Sequence, residues 1–87
     1  MHELGLAEGI LDIVREHVPS ERAAAVRRVR VRVGDLAGVI PDSLAFCFGA
    51  ITAGTPFVAA SLDIERVDGR ELRVAEVELD ELVEPAL

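Results

Sequence analysis

Residues 28–33 read Arg-Val-Arg-Val-Arg-Val, and no other run constrains the fold of this chain so tightly. Successive side chains of a strand point to opposite faces, so a strict period of two marks a strand with one buried face. Val29, Val31 and Val33 then need an apolar cover, and Arg28, Arg30 and Arg32 line the other side. A basic stripe could meet phosphates, but no aromatic residue is interleaved with it. The net charge of -7 also makes nucleic acid a poor partner. With 16 acidic residues against 9 basic ones, all of them Arg, a solvated face of cross-strand ion pairs is the simpler reading.

Two amphipathic segments can supply the cover. Leu4, Ala7, Leu11, Val14 and Val18 recur at helical spacing, widened by Ile10, with Glu3 and Glu8 early and Arg15 and His17 late. Pro19 and Ser20 end this helix. Gly5 and Gly9 are weak helix formers one turn apart. They mark either a slightly unstable helix or a face that another backbone approaches. Pro41-Asp42-Ser43 opens a second helix, with Leu44, Ala45, Phe46, Phe48 and Ile51 as its apolar positions. Gly54-Thr55-Pro56 stops it. Cys47 sits among apolar neighbours and reads as a small core residue.

Two more strands follow. Leu62 and Ile64 alternate with Asp63 and Glu65. Asp68-Gly69 is a strong two-residue hairpin signal, and a third strand runs from about Arg70 to Leu79. Leu72 and Val74 share one parity, Val77 and Leu79 the other. A bulge near Ala75-Glu76 would turn all four inward. The tail from Asp80 reads as frayed or as a short last turn. The expected fold is α+β: a two-layer sandwich of two helices on a three-stranded, mainly antiparallel sheet.

Eighty-seven residues make one domain, 1–87. No apolar run is long enough to span a membrane, and no signal peptide is visible, which points to the cytoplasm. A single Cys excludes an internal disulfide and any multi-thiolate zinc site. No phosphate loop, nucleophile elbow or Cys-His arrangement is present, so no enzyme is expected. His17 most simply compensates the dipole at a helix C-terminus.

The chain starts Met1-His2-Glu3. An imidazole at position two can close a chelate from the Met1 α-amine, the His2 amide nitrogen and the His2 ring. Glu3 adds a carboxylate one residue on. Such nitrogen and oxygen donors suit Ni(II) or Cu(II). Taken alone, the tripeptide reads more simply as a solvated chain tip.

The order of these segments resembles the hydrogenase nickel-incorporation accessory proteins, the HypA/HybF family. The resemblance is carried by Met1-His2-Glu3-Leu4 running into a helix and by residues 31–39, Val-Arg-Val-Gly-Asp-Leu-Ala-Gly-Val. Residues 41–48, Pro-Asp-Ser-Leu-Ala-Phe-Cys-Phe, continue it, with Gly54-Thr55, residues 60–65 and residues 69–72. It implies a metallochaperone that delivers Ni(II) for [NiFe]-hydrogenase maturation, and in some organisms to urease. The implied site is His2 as the principal ligand, Met1 through backbone nitrogen, and Glu3 through backbone or carboxylate. The implied partners are a GTPase of the nickel-insertion pathway and the hydrogenase large subunit. Family members carry a zinc domain with two Cys-x-x-Cys pairs between the second and third strands. This chain has none, and a hairpin turn near 67–70 takes its place, so Ni(II) and no zinc is expected. The alternative is a zinc-free interaction or regulatory module that no longer delivers metal. It would hold a partner or a second copy of itself through an open sheet edge or a helix face. Neither nucleic acid nor membrane is expected as a partner.

Overall fold

The structure is a computed structural model that describes residues 2–80. Met1 and the tail beyond Asp80 lie outside the described residues. The chain runs α1 (His2–His17), a 3-10 turn (Ser20–Ala25), β1 (Val26–Gly34), α2 (Pro41–Thr52), β2 (Ser61–Val67) and β3 (Leu72–Leu79). The expected α+β sandwich is what forms: both helices cover one face of a three-stranded sheet. The 3-10 turn after Pro19 was not foreseen. Its Ala23 and Ala25 are buried, and small residues let the chain turn tightly into β1.

β1 is the central strand, and the sheet order is β2-β1-β3. Val26, Val29, Val31 and Val33 lie in the core against Ala7, Leu11, Val14, Leu44 and Phe48. β1 pairs with β2 in parallel, because the connection between them passes through α2 and crosses over the sheet. It pairs antiparallel with β3. The pairing shifts between Arg30↔Glu76 and Val31↔Val74, so Ala75 is the extra residue of a bulge where the parity change required one. Val74, Val77 and Leu79 thereby reach the core side, while Leu72 stays exposed at its rim.

The expected hairpin between β2 and β3 is corrected: these strands flank β1 and do not pair with each other. The 68–71 connection instead passes over the C-terminal end of β1. There the Gly34 amide donates to the Glu71 carbonyl (2.6 Å) and the Asp35 amide to that of Val67 (2.9 Å). The Leu36 amide donates to the Gly69 carbonyl (2.7 Å). Asp35 Oδ1 accepts the Gly69 N–H at 3.1 Å. The backbones come so close that a Cβ on Gly34 would run into the Gly69 carbonyl. Gly69 itself has φ +90°, where glycine is favoured. Asp68-Gly69 is therefore a true turn signal whose strands lie two positions apart.

Two apolar faces also differ from expectation. Leu4 is 47% exposed and Phe46 76% exposed. The buried stripe of α1 is Glu3, Ala7, Ile10, Leu11 and Val14, and that of α2 is Leu44, Phe48 and Thr52. Gly5 and Gly9 face open space, so they act as weak helix formers within this chain.

Candidate functional site

The start of α1 is where the candidate ligands lie. Of the three expected residues, His2 and Glu3 are placed, and Met1 lies outside the described residues. His2 is exposed as the first residue of the helix. The first turn of a helix has amides with no carbonyl one turn back to accept them. The His2 amide is one of these, and the residue as a whole is exposed.

Glu3 turns the other way. It is only 9% exposed, at the core-facing position one turn before Ala7. Its Oε2 accepts the backbone N–H of Ile40 at 3.2 Å, just before α2. That bond holds the carboxyl below the usual carboxylate range, against a burial effect that would raise it. The positive end of α2 favours an anion at this point. The Glu3 carboxylate thus fastens α1 to the start of α2. Sequence reasoning missed this tie. The signal was present, since Glu3 stands on the same helical stripe as Ala7, Ile10 and Val14.

Among the described residues, no three His, Cys, Asp or Glu side chains gather closely enough to hold a metal ion. A chelate made of one imidazole and backbone nitrogens would not form such a cluster. His17 ends α1 some 20 Å from His2 at the usual helical rise. Its Nδ1 lies 2.8 Å from the Ile13 carbonyl, so the ring donates there and completes the last turn. Cys47 is half-buried beside the core, as expected of a small packing residue. Each arginine of the stripe lies within ion-pair distance of two acids. Arg30 reaches Asp63 of β2 and Glu76 of β3, both at 3.3 Å. Arg32 reaches Glu65 at 3.5 Å and Glu71 at 3.3 Å. Arg28 reaches Asp63 at 4.0 Å and Glu78 at 3.6 Å. Each of these three arginines reaches an acid on either side, so the stripe itself is a charge-balanced face.

Comparison with known proteins bears on the family and the fold. Residues 1–72 match the family model for hydrogenase/urease nickel incorporation, metallochaperone, hypA. The hydrogenase maturation factor HypA of Streptomyces avermitilis is 46% identical over 71 residues, 80% of this chain and 54% of the relative. That of Lawsonia intracellularis is 40% identical over 67 residues, 77% of this chain and 57% of the relative. The chain thus spans about half the length of these relatives. The solution structure of the Ni metallochaperone HypA from Helicobacter pylori shares the fold, with a TM-score of 0.64. The match covers 87% of this chain and 72% of that one at 19% identity.

Proposed function

Because this chain belongs to the HypA family of hydrogenase/urease nickel incorporation, we propose that it is a nickel carrier whose site is Met1, His2 and Glu3. One observation supports this above the rest. The first turn of α1 exposes His2 while the Glu3 carboxylate is drawn inward to Ile40. A free Met1 α-amine, the His2 amide and the His2 imidazole then form a planar nitrogen set suited to Ni(II). Glu3 contributes through its backbone. The chemistry is ligand exchange with a partner protein, so the chain is no enzyme, and it works in the cytoplasm. The recipients are a GTPase of the insertion pathway and the hydrogenase large subunit. Residues 1–87 act as the nickel-binding unit, and the 68–71 connection stands where the resemblance places a zinc module. No Cys-x-x-Cys pair occurs in the 87 residues to hold zinc.

Nickel titration by calorimetry tests the site. His2→Ala should abolish tight binding and leave the fold intact, and blocking the α-amine with an added residue should do the same. Glu3→Gln should keep nickel affinity within a few-fold, because the carboxylate is engaged elsewhere. Affinity should fall as pH drops, since the ligands must shed protons to bind. Unchanged nickel affinity in His2→Ala would end this reading.

A further inference from the structure

β3 is an edge strand, and its outer edge has no strand neighbour among the described residues. Its eight residues, Leu72-Arg-Val-Ala-Glu-Val-Glu-Leu79, carry a symmetry about their own midpoint. Counting outward from the Ala75/Glu76 centre, Val74 answers Val77, Arg73 answers Glu78, and Leu72 answers Leu79. In a regular strand such pairs would point to opposite faces and could not oppose one another. The bulge at Ala75 removes that obstacle. Val31 lies opposite Val74 and Val29 opposite Val77, so both β3 valines face the core side. Arg32 lies opposite Arg73 and Arg28 opposite Glu78, so that pair faces the charged side.

We propose that this edge is the interface for a second copy of the chain. β3 pairs antiparallel with β3 of the partner across a two-fold axis, giving one six-stranded sheet. In that register Arg73 stands opposite Glu78 of the partner subunit, twice over. Val74 faces Val77 of the partner subunit, and Leu72 faces Leu79 of the partner subunit.

Two further observations favour this occupant. The sheet is thinly covered on the β3 side. A groove of about 390 Å³ runs between α1 and β3, lined by Ile13, His17, Val74, Val77 and Leu79. Ile13 is 41% exposed at its rim, and Leu72 is exposed at the strand's end. A second sheet and helix laid alongside would close this groove from both copies at once. The other edge, β2, is guarded. Its outward side chains include Asp63 and Glu65, and pairing β2 with its own copy about Ile64 would set them against each other. The isologous β3 contact closes at two copies, so it does not propagate into a filament.

Sedimentation equilibrium of the chain over a wide concentration range tests the pairing. The wild-type chain should be in monomer–dimer equilibrium. Arg73→Glu alone sets like charges together twice per dimer, as does Glu78→Arg alone. Each should raise the dissociation constant at least tenfold, about 1.4 kcal/mol. The double variant Arg73→Glu/Glu78→Arg restores opposite charges and should recover the dimer, with circular dichroism confirming that all variants stay folded. A wild-type chain that is monomeric at every concentration would overturn the proposal, and so would a dimer indifferent to either single reversal. A double variant that stays monomeric overturns this register.

Discussion

Two carboxylates hold this molecule at points where its backbone would otherwise be loose. Glu3 ties α1 to the start of α2 through the Ile40 amide. Glu71 sits at the end of the 68–71 connection, 2.9 Å from Arg73 Nε and 3.3 Å from Arg32 Nε. The hydrogen bond from Arg73, together with the charges of both arginines, holds the Glu71 carboxyl below its ordinary value of 4.5, and partial burial opposes them. The sign follows from linkage. A carboxyl with a lowered folded pKa binds fewer protons folded than unfolded in that window. Its contribution is therefore present above the ordinary carboxylate value and is lost as pH falls through the lowered one. Glu71→Gln should flatten the acid limb of the stability curve and leave the neutral plateau slightly lower. Thermal melts of both proteins between about pH 6 and about pH 3 check this, in the range where such carboxylates titrate. An acid limb unchanged by the substitution would show that Glu71 takes no part. The arginine stripe of residues 28–32 announced its own pairing, because its alternation put three arginines on one face of a chain with sixteen acidic residues against nine basic ones. Glu3 announced its inward face, by standing on the stripe of Ala7, Ile10 and Val14, but not its partner. A glutamate early in a helix has an ordinary reason to be there, and only the partner, thirty-seven residues away, gives it another.

At the scale of elements, the least legible feature was the order of the strands. Asp68-Gly69 is a genuine tight turn, yet a turn signal is local and says nothing about what lies between the strands it links. The long strand–helix–strand path from β1 to β2 held the missing information. A connection of that length through a helix returns a parallel strand, and two neighbours for β1 leave β2 and β3 apart. The bulge at Ala75 was legible, since the change of apolar parity in β3 has no other inexpensive remedy. The crossing of the 68–71 connection over β1 leaves a sharp test at Gly34. Gly34→Ala inserts a methyl group into the Gly69 carbonyl and the Glu71 amide, which are backbone atoms and cannot swing aside. It should cost about 1–3 kcal/mol, the usual range for overpacking. Gly9→Ala is its opposite. Gly9 lies within α1 with nothing near its missing Cβ, so alanine there should stabilise by about 0.5–1 kcal/mol. Urea unfolding of both variants measures the contrast. A stabilised Gly34→Ala would mean that the connection does not cross β1 as described.

For the molecule as a whole, the core is one cluster shared by both helices and the sheet, built from small aliphatic residues and two phenylalanines. Its membership depends on how each helix is rotated about its axis. Residues 41–52 are apolar nearly all round, with Asp42 as the only charge, so hydrophobicity alone cannot fix that rotation. The sequence places Phe46 and Phe48 on equal terms. Helix geometry separates them, since two residues differ by about 200° around an α-helix. The fold resolves the ambiguity by burying Leu44, Phe48 and Thr52, which follow one another at four-residue steps, and by turning Phe46 to solvent. The Thr52 hydroxyl stays satisfied inside because it donates to the Phe48 carbonyl at 2.9 Å. Two substitutions therefore separate this rotation from any other. Leu44→Ala removes a fully buried side chain from the junction of helix and sheet and should cost about 2–5 kcal/mol. Phe46→Ala removes a larger side chain from water and should fall within about 0.5 kcal/mol of the parent, as exposed sites do. A helix rotated by a half turn would reverse the order of these two losses. Denaturant unfolding of the pair distinguishes the cases, provided both variants are compared in the same association state, because a second copy binding only the folded form would add its own stability to each.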